Sequence, residues 1–453
     1  MTPRPGPAST PLHWWTARDL VRAVRERDLS AREVVAWHLE RIAAVNPRVN
    51  AVVSLRPEAA LAEADAADRR TARRDGRLGP LHGLPIAIKD LEDTAGIRTT
   101  YGSTAFVDHV PATDSLLVQR LRAAGAIIVG KTNTPEFGAG SHTFNRVFGP
   151  TRNPWALDRS AGGSIRNPAS FNNVVGLRPT PGLVPDPAAG DLWDTGSVHG
   201  PMARTVGDLA LMLTAIAGPD PRCPLSHGDP SDFADEPRGD LVGLRVAWCP
   251  DLGGLPIAPQ VMAVLDGARH RLEAAGCQVG EVSLDLSAAD EAFETLRGLG
   301  FVRAFGAAPP ALRASLKETI AWNLEQGLAL DGPAVARAIA ARSTVFATVA
   351  ALLERVDVLA APAAQVAPFP VEEEYPLEVA GVAMPHYLGW MRACSRITVS
   401  AHPVAAVPAG FTDDGLPVGL QFVGRYRGDR RLLEHAAAWE EASGLTLRRP
   451  ALD

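Results

Sequence analysis

A helix that ends on glycine and runs straight into a buried strand occurs twice in this chain, and no other feature restricts the fold as much. The first unit starts near Asp114, passes through Leu117, Leu121 and Ala124, closes at Gly125 and continues as an apolar strand over residues 126–129. Glycine reaches the left-handed backbone that ends a helix without the cost a side chain imposes. The second unit covers residues 261–279 and turns at Gly276. Helices and strands in alternation bury their apolar faces by layering helices on a sheet. The expected fold is therefore α/β: a single large domain with a mixed, twisted β-sheet flanked by α-helices. A length of 453 residues alone would argue for two or three domains. Proline and glycine are dispersed, however, and no low-complexity tract divides the chain.

The remaining periodicities agree with that layering. Thr16 with Asp19 and Ser30 with Glu33 have capping-box spacing, and Val35, Leu39 and Ile42 repeat at helical intervals until Asn46-Pro47, where the second helix is expected to stop. An alanine-rich helix is expected over about residues 57–74. Ile86-Ala87-Ile88 forms a short strand that ends at Lys89. Residues 218–239 turn rich in Pro, Asp and Ser and read as an exposed loop. Residues 356–360 read as a strand before Pro362. Residues 402–424 read as two strands around Asp413-Asp414-Gly415, with a closing helix over 430–442.

Composition excludes several function classes. A formal net charge of −6 argues against nucleic acid or an anionic membrane as the main partner. The arginine run over residues 69–74 reads as a solvated helix face. Cys223, Cys249, Cys277 and Cys394 lie far apart, without a C-x-x-C pair or a histidine at metal-ligand spacing, so free thiols are expected. The first residues lack an apolar segment of signal-peptide length, and no uninterrupted apolar run is long enough to span a bilayer. The expectation is a cytoplasmic protein.

Of 45 basic residues only Lys89, Lys131 and Lys317 are lysines. Arginine stays protonated in proteins, whereas a desolvated lysine can act as a neutral base. Two of the three lie in the segments that carry the chemistry. Lys89 closes GLPIAIKD (residues 83–90), and Lys131 opens GKTNTPEF (residues 130–137). Alone, a lysine at position 89 reads as a surface residue paired with Asp90 or Glu92. Further on come GPTRNPW (149–155), RSAGGSIRNPASFNNVVGLRPTPG (159–182) and GPMARTVGD (200–208).

In order and approximate spacing these five segments resemble the amidase signature family, over about residues 30–215 and again near the C-terminus. The resemblance implies cleavage of carboxamides by a Ser–Ser–Lys triad without a cofactor. It divides the chain into N-terminal helices (1–80), a signature core (81–215), a variable region that shapes the substrate pocket (216–395), and C-terminal strands with a helix (396–453). Lys89 then takes the role of base. Gly162 and Gly163 approach the substrate and present N–H groups to the oxyanion, and Gly138, Ala139 and Gly140 line the acyl pocket. Lys131 has no catalytic role in the motif. The implied partner is a small-molecule amide, a small or aryl carboxamide, and the chain is compatible with a homodimer. The alternatives are a non-catalytic relative or an amidotransferase subunit.

One part of the resemblance is incomplete. The family pattern runs R-x-x-GGSSGG, then a helix and strand, then D-x-GGSIR-x-PA. Here Ser160–Ser164 matches the front of the first element and Ser164–Ala169 the back of the second. About two dozen residues between them are absent by comparison with the family spacing. Ser164 therefore stands either for the nucleophile or for the bridging serine, and whichever role it fills leaves the other empty. Loss of a helix and a strand is also expected to uncover the apolar faces they would have packed against. Ser197 and His199 lie two apart in a loop, which does not make a triad. His142 and His199 read as satisfied polar residues.

Overall fold

The computed structural model describes residues 10–73 and 76–452. In chain order the helices and strands are α1 (Ala17–Glu26), α2 (Ala31–Val49), β1 (Val52–Leu55), α3 (Pro57–Arg73), β2 (Pro85–Lys89), α4 (Leu116–Ala123), β3 (Ile127–Thr132), α5 (Arg166–Asn172), β4 (Val175–Arg178), β5 (Met202–Ala203) and α6 (Val206–Ile216). The second half continues with β6 (Arg245–Trp248), α7 (Pro259–Ala274), β7 (Gln278–Glu281), α8 (Ala288–Phe305), α9 (Pro310–Ser315), α10 (Glu318–Leu328), α11 (Gly332–Arg355), β8 (Val358–Pro362), β9 (Glu378–Val379), β10 (Val382–Ala383), α12 (Arg392–Val399), β11 (Val404–Phe411), β12 (Pro417–Val423) and α13 (Asp429–Ser443).

The α/β expectation holds, with the strands divided among separate sheets. Seven strands in the order β5-β4-β11-β12-β8-β6-β7 form the main mixed sheet, and β1-β3-β2 form a second, smaller one. In the small sheet β2 runs parallel to β3, with Lys89 opposite Thr132. In the main sheet β4 is antiparallel to β11. Along the chain the division falls between β3 and β4, the strands before and after the shortened serine region. Exposure differs on the two sides. Every residue of β4 is buried, whereas Pro85, Ile86 and Ala87 of β2 are only partly so. Both edges of the small sheet, β1 and β2, are only partly covered. A single buried apolar cluster still draws residues from Leu20 to Leu445.

Local signals in the sequence translate directly. The Thr16 side chain accepts from Asp19 N, and Ser30 with Glu33 completes a capping box. Gly125 and Gly276 both adopt positive φ at their helix ends. Helix α4 starts one residue later than expected: Ser115 caps it, while the Asp114 carboxylate accepts from Ala95 N at 2.7 Å. Helix α2 does not stop at Pro47 but includes it and ends at Val49. So near a C-terminus, a missing N–H removes one bond only. Asn50 then takes a left-handed cap, and the Asn46 side chain accepts from Ala51 N and Val52 N. Strand β8 begins at Val358, because α11 extends to Arg355 and uses Val356 as its cap.

Helix α11 has 24 residues and a mean hydropathy of 1.4 over its most apolar window, enough by length and composition alone to cross a membrane. It is interrupted by Arg337 and Arg342 and packs on α8 and α12. All four cysteines are free, and three are buried. Residue 74, at the end of the expected solvated arginine face, lies outside the described residues.

Candidate active site

Lys89 sits at the carboxyl end of β2, where parallel strands present functional groups. The strand ends in a tight turn, with Glu92 N donating to Lys89 O at 3.0 Å. Neither acid next to Lys89 in sequence pairs with it. Asp90 points inward and accepts from Thr100 N at 3.1 Å and Thr100 Oγ1 at 2.5 Å. Glu92 instead meets His199, Oε1 to Nε2 at 2.8 Å, and accepts from Ser115 Oγ at 3.1 Å. The Lys89 ammonium forms no hydrogen bond or close ion pair among the described residues. Burial pushes its pKa down, and the charge of Glu92 opposes that in part. A lysine in this setting gives up its proton more readily than one in water.

The pair beside it is well held. For His199, burial lowers the imidazole pKa, but the bond and charge of Glu92 outweigh burial and raise it. For Glu92, burial acts upward, and the His199 and Ser115 bonds bring the net shift down. The Nδ1 atom of His199 is shielded from solvent and has no partner. His142 is bonded at both ring nitrogens, as expected from sequence, whereas His199 is bonded at one.

Lys131 has a different setting. It is fully buried, and its ammonium donates to Glu92 O, to Thr94 Oγ1 at 2.9 Å and to Thr99 Oγ1 at 3.1 Å. Burial pulls its pKa to about 8 against the nearby Asp90, Glu92, Asp93 and Asp114 charges. With all three protons engaged, Lys131 ties the β3 strand to the turn that follows Lys89.

The serine turn is pinned up to Gly162 and released after it. Thr143 Oγ1 donates to Gly162 O at 2.6 Å, and Gly162 N donates to Ser160 Oγ at 3.1 Å. Ser160 Oγ lies 2.6 Å from His142 Nδ1, and His142 Nε2 lies 2.9 Å from Val371 O. A carbonyl only accepts, so Nε2 carries the proton and Ser160 donates to Nδ1. Gly163 packs so closely that a Cβ there would lie 3.1 Å from Ser141 Cα. Ser164 follows at φ 71°, exposed, and α5 begins two residues later. Its hydroxyl forms no hydrogen bond among the described residues, and none joins it to Lys89.

The glycines differ in what they offer. The Gly162 N–H is already occupied by Ser160, whereas the amides of Gly163, Ser164 and Ile165 donate to nothing among the described residues. Gly138 and Gly140 both have positive φ, and Ala139 between them is buried. Lys317, at the N-cap of α10, donates to Ala139 O at 2.8 Å and lies 3.6 Å from Glu374. An open cavity of about 230 Å³ adjoins this contact, with Phe144, Arg146, Lys317 and Glu374 on its wall. The third lysine thus reaches the loop assigned to the acyl pocket. Sequence reasoning missed Lys317, the His199–Glu92 bond and the Ser160–His142 bond. Each joins segments far apart in the chain, and the one signal that could have pointed to any of them was the rarity of lysine itself.

Comparison with known proteins places these features in a family. The sequence pattern of the family described as Amidase matches residues 33–164 and 160–433, so both stretches include Ser160–Ser164. An acylamidase of Rhodococcus erythropolis is 34% identical, covering 97% of this chain and 98% of its own. A glutamyl-tRNA(Gln) amidotransferase subunit of Moorella thermoacetica is 33% identical, covering 97% and 99%. Among solved structures, a bacterial aryl acylamidase of the amidase signature enzymes superimposes with a TM-score of 0.89 at 26% identity, covering 97% of this chain and 100% of that one.

Proposed function

Because this chain belongs to the amidase signature family of carbon–nitrogen hydrolases, we propose that it hydrolyses a small or aryl carboxamide slowly, with Lys89 as base and Ser164 as its only serine nucleophile. The observation that carries this reading is the Lys89 amine: desolvated, without an ion pair among the described residues, and placed at a strand end. Ser164 Oγ attacks the amide carbonyl carbon, and its proton passes to Lys89 Nζ. A water molecule takes the place of the absent bridging serine, since no direct bond links the two side chains. The free amides of Gly163, Ser164 and Ile165 are the donors available to the tetrahedral oxyanion. Collapse breaks the carbon–nitrogen bond, and the departing amine takes the proton from Lys89. Water then releases the acid from Ser164.

Kinship with an acylamidase and an aryl acylamidase supports an aryl or acyl amide as substrate. Groups that act as a unit fail together, so the expected rate is residual. The missing bond between Lys89 and Ser164 favours a second reading, a protein that binds amides without cleaving them. Product formation from a panel of aliphatic and aryl amides, with Ser164→Ala as control, separates the two. Glutamine in the same panel tests for an amidotransferase role. Single-domain organisation along the stated boundaries, a cytoplasmic location and a homodimer remain part of this proposal.

A further inference from the structure

We propose that Glu92 and His199 form a positioning device for Lys89, in which His199 holds the one carboxylate that acts on the Lys89 ammonium and so keeps that amine free of an ion pair. The inference rests on the reading of Lys89 as the base and adds what keeps it available. Three observations carry it. Glu92 is three residues from Lys89 on the same turn, yet its carboxylate is bonded to His199 Nε2 at 2.8 Å and to Ser115 Oγ at 3.1 Å. The Lys89 ammonium bonds to nothing among the described residues. The loop that carries His199 also packs closely: a Cβ on Gly200 would lie 2.1 Å from Leu177 O and 2.9 Å from Ile165 Cδ1. Gly200, next to His199, therefore lies against β4 and against the residue that follows Ser164.

The charges around the cluster give the device a sign. Among the described residues Glu92 is the one carboxylate that acts on Lys89. Glu92 faces His199 and Lys131, and His199 faces Glu92, Asp186 and Lys89. Asp90 is taken by Thr100. With His199 protonated, its charge offsets that of Glu92, and the neutral form of Lys89 is favoured. As pH rises through the elevated His199 pKa, Glu92 loses its counter-charge and draws a proton toward Lys89. The pair and the lysine thus titrate against one another.

The small lysine complement makes a direct test possible. Limiting acetic anhydride acetylates neutral amines, and peptide mass spectrometry resolves Lys89, Lys131 and Lys317 separately, with Lys317 as reference. Below its midpoint an amine labels about tenfold more slowly for each unit its pKa rises. At a fixed pH, His199→Gln is expected to slow Lys89 labelling by about threefold or more, and Glu92→Gln to speed it by a similar factor. Lys317 stays unchanged in both. A merely structural role would not move the two variants in opposite directions. If His199→Gln does not fold, Glu92→Gln carries the test alone: faster labelling supports the device and an unchanged rate overturns it. Lys89 rates that stay within about twofold of the parent, or that shift the same way in both variants, also overturn it. Labelling reads protonation and not turnover, so a failed amidase assay is a separate result.

Discussion

Ser160 Oγ donates to His142 Nδ1 across 2.6 Å, and this bond ties the glycine turn to a buried, neutral imidazole. The same hydroxyl accepts from Gly162 N, and the far side of the ring donates to Val371 O. One chain of bonds therefore runs from the segment after β8 to the turn that presents Ser164.

That chain makes stability depend on acid. Burial pushes the His142 pKa from 6.5 to about 4, and burial does the same to His402. Both values are lower folded than unfolded, so the unfolded chain binds more protons below pH 6.5. Stability is complete above that pH and falls as the pH drops toward about 4. Each histidine contributes a loss of about 3 kcal/mol across the window. Denaturant unfolding of the parent and of His142→Gln at several pH values measures it. The variant is expected to show a flatter slope, and an identical slope contradicts a buried neutral His142.

Lys131→Met removes a donor from the part-buried Glu92 O and from the buried Thr94 Oγ1 and Thr99 Oγ1. Leaving such groups unsatisfied is expected to cost about 3 kcal/mol or more. Equilibrium unfolding checks this, and a change below about 1 kcal/mol would mean water reaches the site.

Ser164 occupies left-handed backbone at φ 71°. For a residue with a side chain this costs about 1 kcal/mol. Ser164→Gly is therefore expected to raise stability by roughly that amount while removing any turnover. A loss of stability in the melt of this variant would show that the hydroxyl has a structural partner.

Inserting about two dozen residues of a relative's sequence after Ser164, so that two Gly-Gly-Ser copies are present, supplies the second serine. We expect amide turnover to rise by about a hundredfold or more, the scale of positioned proton transfer. Lys89→Ala in the restored chain should abolish it. Activity within about tenfold of that parent would remove Lys89 from the mechanism.

Local signals were the legible part of the fold. Capping pairs, the glycine stops and the strand ending at Lys89 all depend on residues near one another in the chain. Pro47 misled because its cost depends on how many helical bonds lie beyond it, and α2 had few left. The split into two sheets between β3 and β4 was not visible, because strand periodicity marks each strand alone and pairing is decided by contacts far apart in the chain. At the site, the rarity of lysine marked positions 89 and 131. It could not show that Glu92 turns from Lys89 to His199, because that choice is made by a loop about a hundred residues away.

Under the proposed mechanism Lys89 and a single serine leave a slow amidase. The most direct measurement is product formation from aryl and aliphatic amides by the 453-residue chain, mass confirmed, beside Ser164→Ala and Lys89→Ala. Slow hydrolysis that both substitutions abolish is the expected result. Amide binding with no product above buffer, or hydrolysis that survives Ser164→Ala, would contradict it.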